Sequence, residues 1–257
     1  RKKINYMNKI LHPFYKYAFN DDKNNLINIF HNNSDKNTFI KKSITKACHT
    51  KTIQGSGVNI NHYKNDISRK FNKKIKLLFP ARLIEEKGIV ELIDACNDLW
   101  DSNFRFTLNI AGEIDTQNRS YLKNKCFSLI KKNPNIIFLG KCNTMREIYK
   151  KMDIVILPSW REGLSKSLLE SAAMSLPIIT TNVPGCNDII IDEYSGLLVP
   201  SRNKEKLKYA IKEFLDNPEL AISYGVNARK TVIKKFSVEL INNKILKIYD
   251  EFLNIKL

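Results

Sequence analysis

The chain has 257 residues, 43% of them hydrophobic, which is enough for the core of one large domain or two small ones. No apolar run approaches the roughly 18 residues of a membrane span, and the basic start lacks the apolar core of a secretory signal, so we expect a globular cytoplasmic protein. A net charge of +17, from 43 basic and 26 acidic residues, can attract nucleic acid, anionic lipid or phosphorylated substrates.

The distribution of the charge reduces the number of partners that we expect. Lysine is spread along the whole chain, which favours a solvated surface as the main cause of the charge, with peripheral contact at the inner face of an anionic plasma membrane as a secondary consequence. No basic motif interleaved with aromatic residues is present, so we expect no nucleic-acid partner. The scattered cysteines lack zinc-like spacing and predict reduced thiols without a metal site: Cys48, Cys96, Cys126, Cys142 and Cys186.

The first part of the chain shows three short patterns. Residues 27–35 are typical of a strand followed by a loop. The segment Ile53–Asn59 contains two glycines, which permit backbone angles that other residues resist. The polar residues 59–74 predict a linker.

From Lys76 onward, strand patterns alternate with helix patterns. This alternation predicts an α/β fold in which a Rossmann-like parallel sheet carries helices on both faces. The predicted strands are Leu77–Pro80, Phe104–Ala111, Asn135–Leu139, Asp153–Pro158, one from Ile178, and Leu197–Val199. The predicted helices are Ile89–Leu99, Tyr121–Lys132, Met145–Lys151, Ser165–Met174, Lys204–Leu215, Glu219–Lys235 and Val238–Phe252.

Two carboxylates flank the start of one predicted helix. Glu162 lies in the loop after the strand Asp153–Pro158, and Glu170 lies about one and a half turns into the helix that Ser165 begins. In a parallel α/β sheet, ligands bind at the carboxyl edge of the strands, where helix amino termini offer N–H groups to phosphate. Two acceptor-only side chains beside an anion site suit the hydroxyls of a nucleotide sugar.

The segment around these carboxylates resembles the paired-glutamate motif of the retaining glycosyltransferases of family 4, which have the two-domain GT-B fold. Three further segments resemble the same family and follow in the family's order. The four segments are Arg161–Glu170, Ala81–Gly88, Leu176–Gly185 and Ser195–Pro200.

The resemblance implies a domain organisation. Residues 75–236 would be the donor-binding Rossmann-like domain, which is the carboxyl-terminal half of a GT-B fold. Residues 1–58 would be a remnant of the acceptor-binding domain with the hinge, and residues 237–257 a helix that packs back towards that domain. We therefore expect a carboxyl-terminal fragment of a longer enzyme, inactive on its own.

The resemblance also assigns roles to charged residues. Arg82 and Lys87 would bind the diphosphate and act in catalysis by offsetting the negative charge that grows on the leaving phosphate. Glu162 would contact hydroxyls of the donor sugar and stabilise charge at its anomeric carbon, which also makes it a catalytic residue. Glu170 would hold the ribose hydroxyls. Without the resemblance, Glu170 would be interpreted as an exposed helix glutamate.

Backbone groups complete the expected site. Gly163, Leu164 and Ser165 would present N–H groups to the sugar and diphosphate. Ser165 stands where many relatives have a second glycine, which leaves the sugar open. Gly140 and Lys141 would pack on the nucleotide base, with a strand-ending turn as the alternative.

The resemblance implies transfer of a hexose from a UDP- or GDP-linked sugar, with retention of configuration, to a saccharide or lipid-linked acceptor. Such an enzyme would serve bacterial capsule or O-antigen polysaccharide biosynthesis and would need no metal or other cofactor. Three alternatives stay open: a catalytically inactive nucleotide-sugar-binding domain, a GT-B nucleotide-sugar epimerase, and a basic nucleic-acid binder. The epimerase would need acid and base carboxylates, and Glu162 has no obvious second partner for that work.

Overall fold

The structure is a computed structural model that describes residues 2–19, 26–64, 70–71, 73–114, 130 and 133–254. The chain divides into two compact units: residues 1–56 together with 239–257, and Gly57–Val238. Across the described residues, no helix is long and apolar enough to cross a membrane.

The smaller unit contains a short parallel sheet of two strands and helices from both ends of the chain. Asn32 begins one helix because its side chain accepts a hydrogen bond from the backbone N–H of Asp35 at 2.7 Å. The loop predicted after the first strand is therefore mostly helical. An ion pair of 2.9 Å joins Lys51 to Glu251 in the last helix. The elements are α1 Lys2–Phe19, β1 Asn28–Phe30, α2 Asn33–Lys41, β2 Thr50–Thr52 and α8 Val238–Asn254.

The larger unit is built on a six-stranded sheet whose paired strands are all parallel. The strands are β3 Ile75–Phe79, β4 Phe106–Ala111, β5 Ile136–Gly140, β6 Ile154–Leu157, β7 Ile178–Thr181 and β8 Leu197–Val199. All residues of β4, β6 and β7 are buried, as expected for strands covered on both faces. The predicted α/β fold is thus confirmed. The order of the strands across the sheet is β5-β4-β3-β6-β7-β8.

The helices of the larger unit fall close to their predicted positions. The strand predicted from Phe104 begins only at Phe106, because the N–H of Phe104 donates back to the carbonyl of Leu99 and still belongs to the end of a helix. The helix predicted at Tyr121–Lys132 lies outside the described residues, apart from Ile130. The helices are α3 Ile89–Asp101, α4 Met145–Lys150, α5 Lys166–Ala173, α6 Lys204–Asp216 and α7 Pro218–Phe236.

Two glycines bring the loops at the carboxyl edge of this sheet close together. A Cβ on Gly112, after β4, would lie 1.8 Å from the carbonyl oxygen of Ala81, after β3. A Cβ on Gly88 would lie 2.1 Å from the carbonyl oxygen of Pro158, after β6, and Gly88 has a φ of +73°. The loops after β3, β4 and β6 therefore form one packed surface.

Candidate functional site

A cleft of about 220 Å³ opens at the carboxyl edge of the sheet, between the ends of β3, β4 and β5 and the helices α4 and α5. It brings together three residues predicted from the sequence: Arg82, Lys141 and Glu170. Its lining also includes Glu113, Cys142, Tyr149 and Ser167, which the sequence patterns did not single out.

A larger cavity of about 420 Å³ lies at the opposite edge of the sheet, where the strands begin. Lys73, Lys74 and Arg105 line it, together with the rings of Trp100 and Phe104. It contains none of the predicted site residues, so a greater volume does not by itself identify the candidate site.

Glu170 is a buried carboxylate at the back of the cleft. Ser165 caps the helix α5 through a hydrogen bond from the N–H of Leu168 to its side chain, as predicted, and so places Glu170 one turn further on. Glu170 is only 6% exposed, and Tyr149 donates its phenol to Oε2 of Glu170 at 3.2 Å. Burial raises the pKa of Glu170, against hydrogen bonds from Tyr63 and Tyr149 and the charge of Lys166, which lower it. It is not the exposed helix glutamate of the alternative interpretation.

Tyr63 approaches the same carboxylate from a distant part of the sequence. Its ring meets that of Tyr149 edge-on, with centroids 6.3 Å apart. Burial raises the pKa of Tyr63, and the charge of Glu170 raises it further. Arg229 holds the segment of Tyr63 in place by donating to the carbonyls of Tyr63, at 3.0 Å, and of Ala173 at the end of α5.

Glu162 lies beside the cleft in an ion pair with Lys87. The Nζ of Lys87 is 2.5 Å from Oε1 of Glu162, and Ser159 donates its hydroxyl to the same oxygen at 2.7 Å. Both side chains are largely buried, at 20% and 10% exposure. Lys87 lies in a short 3-10 turn, Glu85–Lys87, which precedes the helix α3. Both of these contacts go to Oε1 of Glu162.

The loop after Glu162 contains the three residues that were predicted to present backbone N–H groups to a ligand. The N–H of Ser165 donates to the carbonyl of Gly185 at 3.3 Å, so in this structure that N–H is engaged within the protein. Leu164 is half-buried against the core. Gly163 is exposed, and a Cβ there would meet nothing within 4 Å, which leaves open space on this side of the loop.

The two residues predicted to pack on the base have different positions. Lys141 lines the cleft and pairs with Glu113 at 3.1 Å, with both side chains exposed. Gly140 has a φ of +67°, and its carbonyl accepts from the N–H of Gly112 at 2.8 Å. Gly140 is not among the residues that line the cleft, which favours the strand-ending turn.

Sequence reasoning missed the polar groups that hold the two carboxylates. Tyr149 belongs to an apolar helix pattern with Met145 and Ile148, and nothing in that pattern separates it from core. Tyr63 stands in the predicted linker, where no contact could be inferred. Ser159 offered a signal, because it follows the end of β6 at the edge where ligands bind.

Comparison with known proteins identifies the family. Residues 63–231, well over half of the chain, match the family described as glycosyl transferases group 1. The chain is 25% identical over 205 residues to the capsular polysaccharide biosynthesis glycosyltransferase CapM of Staphylococcus aureus, covering 77% of this chain and 53% of that protein.

A second relative is the N,N'-diacetylbacillosaminyl-diphospho-undecaprenol alpha-1,3-N-acetylgalactosaminyltransferase of Campylobacter jejuni, 25% identical over 263 residues, covering 96% of this chain and 65% of that protein. The chain spans roughly half to two thirds of the length of the curated relatives it matches.

Among solved structures, Anabaena HepE in complex with UDP-glucose has a TM-score of 0.78 with 21% identity over 88% of this chain and 64% of that one. This likeness supports the GT-B class of the predicted fold. With its parallel sheet and the family match over most of the larger unit, the chain belongs to the glycosyl transferases group 1 family.

Proposed function

We propose that the chain is the donor-binding part of a retaining glycosyltransferase of family 4, which transfers a hexose from a nucleoside-diphosphate sugar. One observation carries this proposal: the buried carboxylate of Glu170 and the guanidinium of Arg82 line the same cleft at the carboxyl edge of the sheet. A carboxylate accepts hydrogen bonds from hydroxyls, and a guanidinium binds phosphate oxygens. One cleft thus has partners for a ribose and for a diphosphate.

The charged residues would divide the donor between them. Arg82 and Lys87 bind the diphosphate, Glu170 the ribose, and Glu162 the hydroxyls of the sugar. The ammonium of Lys87 has three N–H donors and gives one to Glu162, so two stay available for phosphate oxygens. Lys87 would therefore link the carboxylate at the sugar to the charge on the leaving group.

The proposed transfer takes place on one face of the sugar. The bond between the anomeric carbon and the diphosphate oxygen breaks, and an acceptor hydroxyl attacks from the same side and passes its proton to the leaving phosphate. Arg82 and Lys87 stabilise the negative charge that grows on that phosphate, and Glu162 stabilises the positive charge on the sugar. In this proposal the two cations do the work of a metal, and retention rests on the family resemblance.

The relatives suggest the donor and the acceptor. UDP is the first nucleotide to test, because HepE binds UDP-glucose, with GDP as the alternative. A saccharide or lipid-linked acceptor is supported by the diphospho-undecaprenol in the name of the Campylobacter jejuni relative. CapM supports a place in bacterial capsule or O-antigen polysaccharide biosynthesis. A cytoplasmic enzyme of charge +17 would also contact an anionic membrane peripherally.

We expect the 257-residue chain to bind a nucleoside diphosphate but to transfer sugar negligibly, because transfer requires an acceptor domain to close over the donor. Robust transfer by this chain would contradict that expectation. If the chain joined to an acceptor domain of a relative also fails to turn over, the alternative of an inactive nucleotide-sugar-binding domain is favoured.

A thermal-unfolding panel of UDP-, GDP- and ADP-sugars tests the binding function. A ligand at about 100 times its dissociation constant stabilises the folded chain by roughly 2.7 kcal/mol. We expect one nucleotide series to raise the unfolding temperature, the shift to shrink in Arg82→Ala, and the shift to persist in Lys73→Ala at the opposite edge of the sheet. A panel without any stabilising nucleotide would contradict the proposal.

A further inference from the structure

Glu170 has an unusual set of neighbours for a buried carboxylate. Tyr149, which is fully buried, donates its phenol to Oε2 at 3.2 Å. A second acceptor, the carbonyl of Ser167, lies slightly further from the same phenol, at 3.4 Å. The carboxylate is the closer and the charged acceptor, so it takes the proton of Tyr149.

Tyr63 gives the carboxylate a second phenol. Its ring packs edge-on against Tyr149, with centroids 6.3 Å apart, and the negative charge of Glu170 adds to burial in raising the pKa of Tyr63, which places the phenol close to the carboxylate. The position of Tyr63 is fixed by Arg229, which donates both to the carbonyl of Tyr63 and to the carbonyl of Ala173. Because Ala173 ends the helix that carries Glu170, one guanidinium connects the backbone of Tyr63 to that helix.

Neutral donors suit a carboxylate that must bind hydroxyls. Lys166, on the same helix, is 3.9 Å from Oε1 and its side chain is 77% exposed, which is a weak, screened contact. The phenols stabilise the anion from the protein side, and Tyr149 does so through Oε2. Glu170 lines the cleft, where the two hydroxyls of a ribose can donate to an ionised carboxylate.

We propose that Tyr149 and Tyr63 are positioning residues that keep Glu170 ionised and oriented, so that the cleft selects ribonucleoside diphosphates over their 2′-deoxy counterparts. This inference rests on the proposed function of the cleft. It adds to that function the residues that set its sugar discrimination and its sensitivity to pH.

The pH dependence follows from the groups around Glu170. Burial raises its pKa, while Tyr63, Lys166, Tyr149 and His62 lower it. Removing either phenol hydroxyl takes away a lowering contribution, so the pKa of Glu170 rises further. The carboxylate then becomes protonated, and the ribose loses its acceptor, at a higher pH than in the wild-type chain.

The test is a titration of the chain with UDP and 2′-deoxy-UDP, and with GDP and 2′-deoxy-GDP, over a range of pH. For the nucleotide that binds, we expect the wild type to prefer the ribose form by roughly tenfold or more, the scale of one hydrogen bond to a charged group. Tyr149→Phe should reduce that preference to a few-fold, weaken the 2′-deoxy form by a smaller factor because that form keeps only its 3′-hydroxyl on Glu170, and move the acid limb of binding to higher pH. Tyr63→Phe should act in the same direction.

Both substitutions keep the ring and remove one oxygen, and Tyr209→Phe on the exposed surface is the matched control. If Tyr149→Phe unfolds, Tyr63→Phe decides the question, because Tyr63 is only partly buried. The inference is wrong if the variants weaken both nucleotides equally, or if the wild type binds both equally. A wild-type chain that binds no nucleotide would instead overturn the proposed function, and the inference with it.

Discussion

The two carboxylates of the proposed site, Glu170 in the cleft and Glu162 outside its lining, have opposite surroundings. On the ribose side, formed by Tyr63, Tyr149 and Glu170, a buried carboxylate is held by neutral phenols. On the sugar side, formed by Lys87, Ser159, Glu162 and Gly163, the carboxylate is held by a cation and a hydroxyl.

The difference matches what each carboxylate is proposed to meet. The ribose stays uncharged throughout the reaction, so a fixed set of neutral donors is sufficient on that side. The anomeric carbon and the leaving phosphate change charge, and the linked ions of Lys87 and Glu162 can respond to both. In the sequence, Glu162 and Glu170 belong to one motif. The structure shows that their surroundings differ.

The largest effect on stability is expected from a glycine whose backbone is closely packed. Gly112→Ala, beside the ribose side, would place a Cβ 1.8 Å from the carbonyl oxygen of Ala81. We expect a loss of about 3 kcal/mol in unfolding free energy, the upper range for overpacking. Gly163→Ala, on the sugar side, meets nothing within 4 Å and should stay within about 0.5 kcal/mol. Urea unfolding of both variants checks this, and equal losses would contradict the packing.

Binding of the diphosphate should depend on two cations, Arg82 and Lys87. We expect Arg82→Ala and Lys87→Ala each to weaken nucleoside diphosphate binding by about 1.5–3 kcal/mol, the scale of hydrogen bonds to charged groups. A nucleoside monophosphate should lose less, because it lacks one of the two phosphates. Calorimetric titration measures both. Binding that is unchanged in both variants would move the phosphate site elsewhere.

The ribose side should gain stability when its charge is removed. Because burial raises the pKa of Glu170, its ionised form destabilises the folded chain at neutral pH, and that cost declines as the pH falls below the folded pKa and is gone below the pKa of the unfolded chain. We therefore expect Glu170→Gln to be more stable than the wild type at pH 7 and equally stable in acid. Denaturant unfolding at the two pH values tests this, and a variant that is less stable at pH 7 would contradict it.

The smallest effect is expected at the rim of the cleft. Lys141 and Glu113 form an exposed pair, and such pairs contribute about 0–1 kcal/mol. Lys141→Ala should thus change the unfolding temperature little and weaken nucleotide binding modestly, with the largest change for the preferred base. A loss of binding as large as that of Arg82→Ala would place Lys141 on the phosphates instead.

Much of the larger unit could be predicted from the sequence, because its strands are apolar runs and its helices have an apolar face with clear ends. Ser165 was predicted to begin α5 and does so, since a serine hydroxyl accepts from a free N–H at a helix start. The helix at Tyr121–Lys132 stays a prediction, as do the domain boundaries.

The contacts within the site were less accessible to sequence reasoning. The ion pair between Lys87 and Glu162 joins residues 75 positions apart, and the partners of Glu170 come from α4 and from the predicted linker. Side-chain spacing along one helix or strand carries no information on such contacts. Residue types predicted which groups could bind a nucleotide sugar, but only the packing of loops showed that the N–H of Ser165 is already used.

The most direct test of the account is a calorimetric titration of Glu170→Gln and Glu162→Gln with the free nucleoside diphosphate that stabilises the wild type. Glutamine keeps the size of the side chain and one acceptor oxygen but loses the charge. The account predicts that Glu170→Gln weakens binding by about 1.5–3 kcal/mol, while Glu162→Gln binds within about 0.5 kcal/mol of the wild type and affects only sugar transfer in an enzyme with its acceptor domain. The reverse order, or no change in either variant, would contradict the assignment of these two carboxylates to ribose and sugar.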